Sequence, residues 1–280
     1  MRRRLRSRRY PLARGLRRAL GLVVLTALLY GLTASVRGLI FRRASAPEPD
    51  GTTETPAQTP APDAQVSDTL SLPERAFYAI QLGAYSGLEA ARAEARLYTG
   101  RGAAGYILED DKFRVLAAVY TDPDDAETIR ARLEAQDIPA YVYTLHAQQV
   151  ELRVTASPEQ RAALFEAFAF VEEAMGEIDA CSLALDRQEM TPQAVQDRMQ
   201  SLYDHGETVR RTLREQVPQG ADAVADALHA LLEATQNAIS AVKSQNSQDS
   251  IAMASQIKYN YLDVVCNYVR FNQTILAAMA

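Results

Sequence analysis

Catalytic and metal-binding chemistry has little to draw on here. The 280 residues include only two cysteines and three histidines, and His146, His205 and His229 stand far apart with no Glu-x-x-His pair among them. That spacing supplies no metal cluster, no nucleophile beside a base and no paired carboxylates in a recognisable pocket. No catalytic residue, metal site or cofactor is assigned, and the acidic tract 109–111 reads as a solvated turn. The sequence therefore points to a protein that is not an enzyme, with a hydrolase lacking a readable motif as the enzymatic alternative.

Acidic residues are absent from the first 43 positions, which carry twelve arginines, while the remaining 18 basic and 35 acidic residues leave the rest of the chain at −17. Between those arginines lies an uncharged apolar run, 19–36, just long enough to span a bilayer. Nine arginines precede it and three follow closely, so the positive-inside bias puts residues 1–18 in the cytoplasm, a transmembrane helix at 19–41 and the remainder outside. A cleaved signal is the competing reading, because "ASA" at 44–46 resembles a signal-peptidase site. A buried soluble helix and nucleic-acid binding by the basic end account less simply for the same pattern.

Residues 44–73 hold six of the twelve prolines among Thr, Ala, Asp and Glu. With so little apolar material the stretch cannot repay the entropy of ordering, and it reads as a linker. Its thirty residues would reach roughly 90 Å fully extended and roughly 30 Å as a coil.

Downstream, one pattern occurs twice. "YAIQLGAY" at 78–85 alternates as a strand with one buried face. Ser86 is placed to cap a helix carrying Leu88, Ala91, Ala95 and Tyr98 on one stripe, and "AAGYILE" closes as a strand. "KFRVLAAVY" then repeats the strand, Asp122 and Pro123 open a second helix, and "IPAYVYTL" ends the unit. The order βαββαβ over 75–146 is that of a ferredoxin-like α+β sandwich, two helices on one face of an antiparallel sheet. Strand parity turns Ile80, Leu82, Val115, Ala117 and Val119 to the helices. It turns Phe77, Gln81, Tyr85, Lys112, Arg114, Leu116 and Tyr120 to the other face. That face, left open or else covered by the carboxy-terminal region, offers rings for stacking and amide and guanidinium groups for hydrogen bonds.

The combination of Tyr78, Ile80, Gln81, Gly83 and Tyr85 with Ala90, Ala91, Phe113, Arg114, Val115, Tyr120, Ala126 and Leu133 resembles the SPOR domain, the sporulation-related repeat of bacterial cell-envelope proteins. The resemblance implies binding to septal peptidoglycan, in particular glycan strands stripped of their stem peptides, through the open sheet face. Tyr85 and Tyr120 would then stack on sugars, Gln81 and Arg114 would hydrogen-bond them, and Phe77 would support the site. Anchor, linker and domain also follow the family's usual order. Two features depart from the family's pattern: Ala118 and Val119 stand where Gly and Pro are common, and Leu116 replaces a polar side chain.

A further 135 residues follow Leu145. Ser157, Pro158 and Gln160 announce a helix by a capping box, and Thr191 with Pro192 repeats the signal. Four apolar stripes, including Phe168 and Ile178, Val195 and Leu202, Leu228 and Ile239, and Leu262 and Val269, predict an antiparallel four-helix bundle over 157–280. Gly206 is a candidate bend in its second helix. Cys181 and Cys266 fall in its first and last helices, where a disulfide is permitted outside the membrane and two separate core thiols are equally consistent. Surplus aromatics on the last helix, Tyr259, Tyr261 and Tyr268 among them, make either a protein-partner surface or a wider buried face. An RNA-binding use of the sheet is disfavoured by its charge, eleven acids against eight bases over 75–146. The expected partners are thus peptidoglycan glycan strands, a membrane crossed once and a protein held by the bundle, with no nucleic acid. The rival to glycan binding is an envelope scaffold in which the sheet is only a platform for that bundle.

Overall fold

The computed structural model describes residues 65–220, 222–245 and 249–279. The basic segment 1–18, the expected span 19–41 and most of the linker lie outside them; among the described residues no helix is long and apolar enough to cross a membrane.

The expected linker ends earlier than Pro73, because Val66–Leu72 is a strand, β1. "VSDTLSL" alternates, burying Leu70 and Leu72 while Thr69 and Ser71 face solvent. One four-stranded unit follows: β2 (Arg75–Tyr85), α1 (Leu88–Thr99), β3 (Tyr106–Glu109), β4 (Phe113–Tyr120), α2 (Pro123–Glu134) and β5 (Tyr141–Ala147). Then β6 (Val150–Ala156) returns to pair antiparallel with β1 from Val66 opposite Ala156 to Leu72 opposite Val150. The two ends of the repeat unit are thus tied by a separate ribbon.

The main sheet has the order β3-β4-β2-β5 with every pairing antiparallel, which is the split-βαβ arrangement the repeats predict. Local signals act where the sequence puts them, with one exception. Asp122 accepts the Asp124 N–H at 2.8 Å to start α2, but α1 begins from Gly87 with no side-chain cap, so Ser86 does not play the role expected of it.

Four helices follow: α3 (Pro158–Asp186), α4 (Pro192–Gln216), α5 (Ala223–Lys243) and α6 (Ser250–Met279). Ser157 and Gln160 form the reciprocal capping box at 3.2 Å each way. Thr191 caps α4, and Asp222 caps α5 through two backbone N–H groups. Each helix packs on the next, and α6 returns against α3. Gly206 does not interrupt α4, which continues through it. It is buried where an added Cβ would run into Phe170 and Gln236, so it is a site of close packing.

The face of the sheet opposite α1 and α2 is covered. Helix α6 lies across β3, β4 and β5, and Phe77, Ala79, Leu116, Val119 and Leu145 belong to the same buried cluster as Val171, Ile178, Tyr261, Tyr268 and Phe271 of the bundle. Sheet and bundle therefore share one core. The polar seams agree with it. Arg75 pairs with Glu172 and lies over the Tyr268 ring, Tyr106 donates to Asp263 at 3.3 Å, and the buried Asn272 amide bonds both N–H and C=O of Gln148 at 2.9 and 2.8 Å. The surplus aromatics of the last helix serve mainly this cover: Tyr261 and Tyr268 are buried, while Tyr259 stays exposed beside Tyr106.

Cys181 and Cys266 are both buried free thiols. They face different neighbours, Cys181 towards Arg198 of α4 and Cys266 towards Tyr106 and Asp263, and burial pushes the Cys266 thiol up to about 11. No disulfide joins the two helices at this pair.

Two consequences are measurable. Phe77 is 1% exposed and meets Tyr268 edge-on at 6.1 Å between centroids. Phe77→Ala should cost about 3–5 kcal/mol, lowering one cooperative denaturant transition for sheet and bundle together; two separated transitions in the wild type would contradict a shared core. Asp179 on α3 is held with its pKa raised to about 6, by burial first and then by the Asp125 charge. An acid whose folded value exceeds its unfolded value of about 3.9 binds protons more tightly when folded. Its penalty is therefore full above pH 6 and vanishes as pH falls towards 4. Asp179→Asn should raise stability by about 1–3 kcal/mol at pH 8 and leave it unchanged near pH 4, read from denaturant midpoints.

Candidate functional site

Parity places Phe77, Gln81, Tyr85, Arg114 and Tyr120 on one face, but the structure divides them. The pairing of β2 with β4 is irregular twice: Ile80 faces Ala118 and Gln81 faces Leu116, so Ala117 has no opposite residue, and Gly83 faces Val115, so Leu82 has none. Each extra residue shifts the alternation by one, which sends every later side chain to the other face.

On β4 the shift turns Val119 to the α6 side and Tyr120 to the helix side, where Tyr120 packs with Ile80, Ala126 and Leu183 and is 7% exposed. Burial, with the nearby Asp186 charge, pushes its hydroxyl well above the ordinary tyrosine value. On β2 the shift turns Tyr85 towards α1, against Ala91, Ala95 and Phe113. Neither tyrosine stands beside Gln81. Phe77 is on the expected face but lies beneath α6. Leu116 and Val119 sit under the same helix, so the family's open face is core in this chain over most of its area, and their apolar character follows.

What remains uncovered is a corner of that face, at the end of β2 and the start of β4. There Arg114 is held on three sides. Its Nε donates to Asp110 Oδ2 at 2.6 Å, its Nη2 to Asp111 Oδ1 at 2.6 Å and its Nη1 to Gln81 Oε1 at 3.1 Å. The guanidinium lies 4.7 Å from the centre of the Tyr143 ring, and the Tyr143 hydroxyl donates to Asp110 Oδ2 at 3.0 Å. Gln81 also pairs with Tyr141 across β2 and β5, and residues directly opposite share a face. Tyr141 is 61% exposed at the rim.

The electrostatics follow from these contacts. Partial burial draws the Asp110 carboxyl upwards, but hydrogen bonds from Arg114, the Lys112 N–H and Tyr143 outweigh it and hold the group well below the carboxylate range. Arg114 is correspondingly raised, first by Asp110, and burial followed by the Asp110 bond raises Tyr143. The corner is a charged, pre-ordered shelf with one free ring at its edge. Such a surface suits stacking on the apolar face of a sugar, with the Gln81 NH2 available to donate to a carbonyl or hydroxyl.

Tyr141 and Tyr143 were not singled out by the sequence. Their alternation in "YVYTL" carried a signal, but only the β2–β5 register links it to Gln81. The histidines stay apart: His146 meets Glu74, His205 meets Glu173, and buried His229 lies 2.7 Å from the Val217 carbonyl. Among the described residues no group of three potential ligands is arranged to hold a metal ion.

No curated protein and no solved structure matches the chain. Residues 74–144 match the model of the SPOR domain, so the βαββαβ unit that carries this corner is a member of a peptidoglycan-binding, non-enzymatic domain family.

Proposed function

We propose that the chain is a membrane-anchored protein of a bacterial envelope that holds peptidoglycan glycan strands at division or sporulation septa through the uncovered corner of its SPOR sheet. The observation that carries this reading is the meeting of Tyr141, Tyr143, Gln81 and Arg114 on the one part of that face that α6 leaves exposed. Tyr141 would stack on a sugar ring, Gln81 would bond its polar groups, and Tyr143 with Asp110 would keep Arg114 flat beneath them. Phe77, Tyr85 and Tyr120 act through the fold in this reading.

The anchor rests on the apolar run at 19–36 between its arginines. With the amino terminus in the cytoplasm, the folded part lies outside the membrane, tethered by residues 44–65. At about 3.1 Å per residue those 22 residues would reach roughly 70 Å.

A second reading is favoured by the cover itself. Because α6 occupies the centre of the sheet, the domain could serve as a platform that presents the bundle to an envelope or division protein. Separating the readings needs an intact core, since a cut near His146 would bare Phe77, Leu116 and Val119. Co-sedimentation of the detergent-solubilised full chain with peptidoglycan sacculi keeps it intact. Tyr141→Ala and Gln81→Ala should each weaken binding about 2- to 10-fold with unchanged melting, whereas Tyr120→Ala should lower the melting temperature first. Wild-type binding by both corner variants would move the function to the bundle.

A further inference from the structure

The ribbon of β1 and β6 has two strands only, so β6 pairs with β1 along one edge and leaves the backbone groups of its other edge without a strand. Such a row of N–H and C=O groups is a template for a further strand. An apolar groove of about 360 Å³ runs beside it, and five consecutive residues of β6, 152–156, line that groove. Side chains of a strand alternate between faces, so a groove touching all five lies at the strand's edge. Its other wall is formed by Leu164 of α3, Val224 and Leu228 of α5 and Phe271 of α6. Leu152 and Val154 are only half-buried against it.

We propose that this edge docks a second copy of the chain, β6 pairing antiparallel with the partner's β6 about a two-fold axis at Leu152. The surface lies outside residues 74–144 and apart from the Gln81 and Tyr141 corner, so it stands independently of the glycan reading.

Charge complementarity selects the partner. The stretch "VELRV" at 150–154 reads alike in both directions, except that Glu151 and Arg153 exchange places. Residues opposed across an antiparallel pair share a face. Leu152 against its own copy therefore sets Val150 against Val154 on the inner face and Glu151 against Arg153 on the outer, each pair twice. Sliding the register by one residue sets inner side chains against outer ones. Sliding it by two sets Glu151 against Glu151, or Arg153 against Arg153, which like charge disfavours. Both charges are accessible: Glu151 and Arg153 are exposed, Glu151 accepts from the Ser71 hydroxyl through one oxygen, and Arg153 has no ion-pair partner among the described residues.

The other free edges lack this complement. β1 carries one charge, Asp68, already paired with Arg161 at 2.7 Å. β5 has no Asp, Glu, Lys or Arg, and β3 is four residues long with Glu109 its one charge. The stretch 44–64 of the same chain is a poor occupant, because it holds no apolar side chain larger than proline to fill the groove.

Sedimentation equilibrium of the detergent-solubilised full chain, density-matched so that protein mass alone is read, tests the pairing. The wild type should pass from monomer to dimer with a dissociation constant on the order of 10–100 µM, as suits a small interface. Arg153→Glu should weaken dimerisation about 10-fold or more with unchanged melting, and adding Glu151→Arg to it should restore wild-type association, because the exchanged pair is complementary again. Leu152→Cys puts two thiols across the axis with Cα atoms about 4.5–5.5 Å apart, within disulfide range. Mild oxidation should link that variant to itself, whereas Glu151→Cys, opposed by the partner's Arg153, should stay unlinked; Cys181 and Cys266 are buried and do not compete. A wild type that stays monomeric throughout that range, with Leu152→Cys unlinked, would overturn the proposal. A dimer indifferent to both charge variants would overturn it by placing the contact elsewhere, as in the apolar run 19–36. Protection of the 151–155 amides from exchange in a monomer would do the same, by showing that the edge is filled from within one chain.

Discussion

The burial of one face of the sheet beneath α6 is the constraint on which the rest of the molecule depends. Phe77, Leu116, Val119 and Leu145 are all under a tenth exposed. At about 1.5–3 kcal/mol for each large apolar side chain, baring that face would cost on the order of 10 kcal/mol, comparable to the whole stability of an ordinary domain. The cover is thus part of the fold. It makes α6 the roof of a single core.

That constraint explains residues that looked anomalous for a glycan reader. Leu116 replaces a polar side chain because its environment is α6 and Tyr106, not solvent. Val119 is apolar for the same reason, once the extra residue at Ala117 has turned it round. Beyond the roof Arg114 pairs with Asp110 and Asp111.

Much of the fold was legible in the sequence because it rests on local signals. The βαββαβ order follows from alternation and caps, and the four late helices follow from stripes and, for the first two, from Ser157 and Thr191. The site was legible only in part. Gln81 and Arg114 stood out as polar side chains in apolar strands and do lie on the expected face, but Tyr85 and Tyr120 were misplaced because parity presumes a regular ladder. The irregularity depends on how β2 meets β4, which neither strand states alone. The ribbon of β1 and β6 was hidden for a related reason. Each is short and half polar, its partner lies far away in the chain, and β1 adjoins proline-rich sequence that argues for disorder.

One shared core also changes what the bundle can be. A bundle on a flexible tether would leave a partner free to turn relative to the wall, but here Arg75 with Glu172, Tyr106 with Asp263 and the Asn272 clamp on Gln148 fix α3 and α6 to the sheet at separate points. Together with the shared core they tie the bundle to the sheet. A ligand held at the Gln81 and Tyr141 corner would therefore set the orientation of the exposed helix faces. Glycan binding and scaffolding are then compatible uses of one rigid body, and the direction in which the bundle points is decided at the sheet.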